Sequence, residues 1–274
     1  MKRALAFVII QIVLRPLQWL PLSALHELGG ALGKVMLKYP SKKHAIVKKN
    51  LALAFPEITA TEQDKMHERS VKHMACFALE TGKVWHASDH QLSKLVVRIK
   101  GWEHIENALA SDKGLLLVGA HLGNWEILNL YCMQRLDMAG LYRAPRDPVI
   151  NQWVRKARER FGGELIPSGS QSMRQLLKNL KSGGVAGIIA DQQPRLGDGV
   201  MAPFFGEPAL TMTLIGRLAR RTNCHVLMAS CYRCLKTGFE IDITPIDDAI
   251  RSKDPIESAK ALNSAIESAV RQHP

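Results

Sequence analysis

Gly114-Leu115-Leu116-Leu117-Val118-Gly119-Ala120-His121-Leu122-Gly123-Asn124-Trp125-Glu126 decides the fold of this chain. Its first seven residues are apolar without interruption, the pattern of a strand buried on both faces. Gly123 then breaks the run, Asn124 is a favoured helix N-cap, and residues 125–136 continue as a helix. Outward from this stretch the same strand-then-helix pattern recurs. Residues 138–142, 164–167 and 185–190 read as strands, each followed by a helix, over 148–161, 170–181 and 210–221 respectively. Residues 224–232 and 239–243 make a last strand pair, and a further helix starts near Pro255. Strands alternating with helices specify an α/β fold with a mostly parallel central sheet flanked by helices.

Upstream the texture is helical to about Ile99, with breaks at Pro40, Phe55-Pro56 and Ser88-Asp89. Thr59, Thr61 and Glu62 supply start chemistry for the helix that runs to about His86. At the beginning, Lys2 and Arg3 precede an apolar run over 4–14, which Arg15, Pro16 and Pro21 interrupt before an amphipathic continuation to Leu37. A spanning helix needs about 20 apolar residues, so this run is short. No small-x-small site follows it as in a secretory leader. Residues 1–37 are therefore expected to form a helical membrane-binding region that dips into one leaflet or spans poorly, with a buried core helix as the plainer alternative. Lys34, Lys38, Lys42, Lys43, Lys48 and Lys49 sit beside it, where they attract anionic lipid and mark a cytoplasmic flank. The expected organisation is an anchor over 1–37, a helical segment over 38–100 and an α/β catalytic region over 101–274, with 38–274 forming one domain.

The net charge of +12 over 274 residues calls for an anionic partner: nucleic acid, an acidic membrane surface, or an acidic protein or small molecule. Nucleic-acid modules interleave aromatics with basic residues, whereas the aromatics here are few and lie inside apolar runs, so no nucleic-acid partner is expected. The five cysteines are odd in number and scattered, which suits a reducing compartment. Cys231 and Cys234 have metal-ligand spacing but lie in a strand-like run, where residues three apart face opposite ways, and no second pair completes a tetrahedral set. They read as buried thiols, and no metal is expected.

Ligands of parallel sheets bind beyond the carboxyl ends of the strands. That rule gathers three loops: His121 to Trp125, Arg143 to Asp147, and Asp191 to Pro194. Within one regular helix His121 and Glu126 would lie about 140° apart, so the break at Gly123-Asn124 is what lets a carboxylate in the first helical turn reach an imidazole at the strand end. A histidine held by a carboxylate can take the proton of a hydroxyl that attacks an acyl carbonyl. The plainer alternatives are a Glu126 that complements a helix dipole and a His121 that is a hydrogen-bonded loop residue. Arg143 and Arg146 are candidates for phosphate contact. Asp191 could position a substrate hydroxyl, orient an arginine or cap a turn, and Gln192 and Asn124 stand beside it as further substrate-contact candidates. Pro203-Phe204-Phe205-Gly206 is apolar and turn-like, and Phe204 and Phe205 are candidates for an acyl-chain groove, or simply core.

Several of these pieces together resemble a known family. Val47-Lys48-Lys49-Asn50-Leu51 runs into Ala54-Phe55-Pro56-Glu57. Then come Gly119-Ala120-His121-Leu122-Gly123-Asn124-Trp125-Glu126, Tyr142-Arg143, Arg158-Glu159-Arg160-Phe161-Gly162, Asp191-Gln192-Gln193 and Pro203-Phe204-Phe205-Gly206. In this order they are similar to the late, lauroyl- or myristoyl-adding acyltransferases of bacterial lipid A biosynthesis, whose first motif is shared with the glycerolipid acyltransferases. The resemblance implies a glycerol-3-phosphate acyltransferase-like fold, a lipid A precursor as acceptor and acyl carrier protein thioester as donor. It also implies no metal or organic cofactor, and a place on the cytoplasmic face of a Gram-negative inner membrane. It puts the catalytic pair on His121 and Glu126 and the family's conserved arginine on Arg158, with Arg160 as neighbour; the plainer alternative is that Arg155, Arg158 and Arg160 line a solvated helix face. Arginine's planar fork suits a phosphate or a developing oxyanion. Such chains usually carry a further aromatic segment with a His-Arg-rich end, whereas this sequence ends at Arg271-Gln272-His273-Pro274. Two other functions fit the same residues: an acyltransferase for another glycolipid or lysophospholipid that uses acyl-coenzyme A, and a non-enzymatic basic protein that docks on membranes.

Overall fold

Leu115–Gly119 (β2) is buried along its whole length, with Leu115 and Leu117 packed into one hydrophobic cluster and Leu116 and Val118 into another. Each such side chain, fully removed from water, contributes about 1.5–3 kcal/mol. A strand with no wet face needs a layer on each side, and the computed structural model, which describes residues 14–39, 41–169 and 171–274, supplies both. Seven strands form the central sheet in the order β1 (Val96–Lys100), β9 (Gly238–Pro245), β8 (His225–Cys234), β2, β5 (Val185–Ile189), β3 (Met138–Tyr142), β4 (Glu164–Pro167). Every pairing is parallel except that of β8 with β9, which form the expected last strand pair of the chain. Helices α4 (Asp89–Leu95), α5 (Trp102–Leu109) and α6 (Trp125–Arg135) cover one face. Helices α8 (Ser172–Lys181), α9 (Leu214–Thr222) and α10 (Pro255–Gln272) cover the other. The mostly parallel, helix-flanked sheet expected from the sequence is present.

Two stretches depart from expectation. The helical texture before Ile99 conceals β1, an edge strand whose outward Arg98 and Lys100 pair with Glu240 of β9, which masks the apolar signal. The helix expected over 210–221 begins only at Leu214, because residues 207–212 belong to a small hairpin of β6 (Gly199–Phe204) and β7 (Glu207–Met212). Phe205 and Gly206 form its turn, with φ of 51° and 80°. Positive φ at both central positions gives a turn whose twist suits a hairpin. The turn-like reading of 203–206 holds, whereas the two strands it joins are not legible in the sequence, where residues 210–212 read as part of the following helix.

Ahead of the sheet lie α1 (Leu22–Leu37), α2 (Lys42–Ala54) and α3 (Ala60–Val84). Thr59 and Glu62 make a capping box at the start of α3, as their spacing suggests. The α1 and α3 backbones touch through Gly29 and Gly33: a Cβ added there would fall 2.8 Å from the Cys76 Cα and 2.7 Å from the Lys72 Cα. The opposite side of α1 leaves Leu28, Leu32 and Val35 exposed, with Trp19 and Tyr39 at its ends. Among the described residues no helix is long and apolar enough to cross a membrane. The apolar run expected to insert lies almost wholly in residues 1–13, outside the described residues, as does the expected break at Pro40.

Helix α2 has no buried residue. It is tied to α3 by His44 Nδ1 against His67 Nε2 at 2.9 Å and by Lys48 Nζ donating to Asp64 at 2.7 Å. Burial, and then the charges of His44 and Lys48, hold the His67 pKa below the ordinary histidine value. The unfolded chain therefore takes up this proton first. His67 contributes stability that is complete above about pH 6.5 and is lost as pH falls through its folded value. Urea titrations from about pH 7 down to about pH 5 should show stability declining, and His67→Gln should flatten that slope.

Candidate active site

Strands β2, β5 and β3 lie side by side and run the same way, so the loops that follow them meet along one edge. His121 follows β2 and Asp191 follows β5, and the main-chain ladder extends one residue past the strands through Ala190 N–H donating to the Gly119 carbonyl at 2.8 Å. There the Asp191 carboxylate accepts two hydrogen bonds from His121, from its backbone N–H at 2.8 Å and from its ring Nδ1 at 2.7 Å. With Nδ1 committed as donor, Nε2 carries the lone pair and is an acceptor. The histidine side chain is 37% exposed, so that nitrogen can be reached. The Gln192 side-chain amide stands 3.5 Å from it.

Glu126 was expected on this imidazole, and the structure places it elsewhere. Gly123, at φ 60°, pairs with Cys231 of β8, and the Asn124 N–H donates to the Cys231 carbonyl at 2.8 Å. This turn starts α6 deep against the sheet. Glu126, in its first helical turn, is 2% exposed and grips Arg158, with Nη2 at 2.5 Å and Nε at 3.1 Å from its two oxygens. Arg158 ends α7 (Pro148–Arg158) and turns inward, away from any solvated helix face. No hydrogen bond joins Glu126 to His121 among those of the described residues. The two pairs instead meet through Trp125. Its ring centroid lies 5.1 Å from that of His121, and the Arg158 guanidinium carbon stands 4.8 Å over the same indole. A base-like imidazole and a cation thus flank one aromatic ring.

Behind the indole, between α6 and the sheet, runs a narrow cleft of about 60 Å³. Trp125, Leu128 and Cys132 of α6, Arg158 and Tyr142 line it. Gly119, Gly140 and Gly187 also lie in its lining, and the side chains of Ile189, Leu165 and Met138 from neighbouring strands close over them. The cleft is mostly apolar, with Arg158 as the cation in its lining.

The model of the bacterial lipid A biosynthesis acyltransferases matches residues 1–274. The chain belongs to this family. The acyltransferase is 27% identical over 258 residues to the lipid A biosynthesis lauroyltransferase of Escherichia coli (strain K12), a match covering 93% of this chain and 83% of the relative. It is 25% identical over 257 residues to the lipid A biosynthesis palmitoleoyltransferase of the same strain, with the same coverage of both chains. A phosphatidylinositol mannoside acyltransferase of Mycobacterium tuberculosis (strain ATCC 25618 / H37Rv) is 26% identical over 191 residues, 68% of this chain and 60% of its own.

Other expected site residues of the acyltransferase divide clearly. Arg143 and Arg146 are exposed on the loop after β3, along the same edge as His121. Arg160 does not face that edge: its Nη1 and Nη2 donate to the carbonyls of Trp85 and Val84 at 2.5 and 2.8 Å, satisfying the open end of α3. Asn124 is 1% exposed and acts as the α6 N-cap through Oδ1, 3.1 Å from the Ile127 nitrogen, so it is not a substrate contact. Phe204 and Phe205 do not line the cleft. Their hairpin rests on α10, where the Phe205 N–H donates to Glu267 at 2.6 Å and its ring lies beside Phe55 and Arg271. Cys231 and Cys234 are free thiols, the first buried and the second half-buried. Trp125 and the role of Asp191 on His121 were missed. An aromatic residue directly after the N-cap was the available signal for Trp125, whereas nothing in spacing joins positions 70 residues apart. In the acyltransferase Asp191→Asn should reverse the His121 tautomer, read by nitrogen NMR of the ring, and lower kcat by about 10²–10⁴-fold.

Proposed function

We propose that this acyltransferase moves a fatty acyl chain from acyl carrier protein thioester to a hydroxyl of a lipid A precursor, with His121 as general base. One observation carries the proposal: an imidazole oriented through Nδ1 by Asp191, its Nε2 an acceptor met only by Gln192 at 3.5 Å, near an arginine that lines an apolar cleft. The acceptor hydroxyl oxygen attacks the thioester carbonyl carbon while Nε2 takes its proton. The tetrahedral oxyanion is met by Arg158, whose Nε and Nη2 are held by Glu126 and whose Nη1 is left to donate. The C–S bond then breaks, and the imidazolium returns the proton to the departing sulfur. Only side chains take part, so the step needs no metal or organic cofactor. Asp191 rather than Glu126 orients the base, and Glu126 acts by fixing Arg158.

The acyl chain enters the cleft under α6. Because about 60 Å³ is too small for a long chain, Met138 in its wall yields, as unbranched methionine does readily. Arg143 and Arg146 hold acceptor phosphates at the sheet edge. The exposed Leu28, Leu32 and Val35 of α1, with the lysines of 34–49, rest on the anionic cytoplasmic face of the inner membrane. The phosphatidylinositol mannoside relative favours one second possibility, a different phosphorylated glycolipid as acceptor.

Mass spectrometry after incubation with a defined tetra- or penta-acylated lipid A precursor tests the reaction, with acyl carrier protein and coenzyme A donors in competition. The expected product is one acyl chain heavier, formed from the carrier-protein donor and absent with His121→Ala. Transfer only to a mannosylated lipid, or only from coenzyme A, overturns the substrate assignment, and full activity of His121→Ala overturns the mechanism. Gly187→Ala adds a methyl 3.0 Å from the Met138 sulfur at the cleft floor. It should move donor preference toward shorter chains, read by the same mass measurement.

A further inference from the structure

We propose that Glu80 is a positioning residue for acyl transfer: a buried carboxylate through which the amino-terminal helices set the loop carrying His121, Trp125 and Glu126. The proposal rests on the function proposed above. Glu80 lies on α3, 0% exposed, and its two oxygens accept four hydrogen bonds. His26 Nε2 of α1 and Arg233 Nε of β8 approach Oε1 at 2.8 and 2.5 Å. Asn124 Nδ2 and Arg233 Nη2 approach Oε2 at 2.7 and 2.6 Å. His26 Nδ1 accepts the Lys236 N–H at 2.9 Å, so its proton sits on Nε2 and the ring is neutral. The Glu80 and Arg233 charges then cancel. Burial pushes the Glu80 carboxyl up, yet the hydrogen bonds from Arg233 and His26 outweigh it and keep the group ionised.

What lifts this cluster above ordinary packing is where its fourth bond goes. Asn124 caps α6 with Oδ1 alone, a task that serine or aspartate performs as well. Its Nδ2 is not needed for the cap and is given to Glu80. The side chain thus holds α6 with one atom and α3 with the other. The next residue is Trp125, the ring between His121 and Arg158, and the one after is Glu126, which holds Arg158. One helical turn before Glu80, Phe77 stacks on Trp125, with centroids 6.0 Å apart and planes at 28°. Helix α3 therefore touches this loop twice, at Asn124 and at Trp125. Helix α1, whose outer face carries the exposed leucines, reaches the same loop through His26 and Glu80. A displacement of about 1 Å at reacting groups can cost on the order of 100-fold in rate, so a tie of this kind acts on turnover more than on binding.

Asn124→Ser is the decisive variant, because its hydroxyl keeps the α6 cap and loses only the bond to Glu80. It should lower kcat by about 10- to 100-fold, with KM for acceptor and for donor each within about twofold of wild type and an unchanged far-ultraviolet spectrum. A kcat within about twofold of wild type overturns the proposal. A rise in KM with kcat unchanged also overturns it, since that signals lost substrate contact. Glu80→Gln, which leaves Arg233 without its counter-charge, should lower both the melting temperature and the kcat of folded enzyme. Lower stability alone, with turnover per folded molecule intact, assigns the cluster to packing and overturns the positioning role. His121→Ala run in parallel separates the two questions: if that variant retains activity, the catalytic assignment fails whatever Asn124→Ser does.

Discussion

Because β2 has no face turned to water, polar chemistry near it can occur only where the strand ends. Every other feature of the site follows from that restriction. The backbone ladder between β2 and β5 runs out at Gly119 and Ala190, and the first polar side chains beyond it are His121 and Asp191. Asp191 binds both the main chain and the ring of His121, so imidazole orientation is inherited from strand register. A one-residue slip in that register would turn each side chain to the opposite face, and the clamp would be lost with it.

Two buried ionic pairs set the depth of the site. Glu126 with Arg158 and Glu80 with Arg233 are both bidentate, and three of the four side chains are 3% exposed or less. Removing such charges from water costs several kcal/mol per ion, and replacement by packed apolar residues is often neutral or stabilising. Burial of this kind is thus weak evidence for stability alone. What the pairs provide is geometry: a planar guanidinium locked by two parallel bonds has little freedom left. Arg158 is locked where it covers Trp125 and lines the cleft, and Glu80 is locked where it meets the N-cap of α6. Both pairs act on the thirteen-residue stretch that first revealed the fold.

The organisation of the acyltransferase also joins its amino-terminal helices to its central sheet. Helix α1 presents apolar side chains outward and buries His26 inward, where that residue meets the carboxylate that also binds the α6 N-cap. The Gly29 and Gly33 contact brings α1 close enough to α3 for this reach. The exposed apolar face of α1 and the turn that carries His121 are thus joined by three side chains: His26, Glu80 and Asn124.

Local pattern determined much of this protein. An unbroken apolar run has one stable solution, a strand covered on both sides, and the recurrence of strand and helix made the parallel sheet and the clustering of the loops after β2, β3 and β5 legible. The break at Gly123-Asn124 and the capping box at Thr59 and Glu62 were legible too, because caps and turns are decided by neighbours in sequence. Tertiary structure alone decided the partners. Proximity along the chain suggested that Glu126 would serve His121, yet Asp191, 70 residues away, holds that place, and Glu126 is joined to Arg158 across 32 residues. The strands of the β6–β7 hairpin, the edge strand β1 and the capping role of Arg160 were likewise set by contacts between distant elements. The physical reason is that sequence periodicity fixes which face of an element turns inward, whereas strand order and helix packing fix what it meets there.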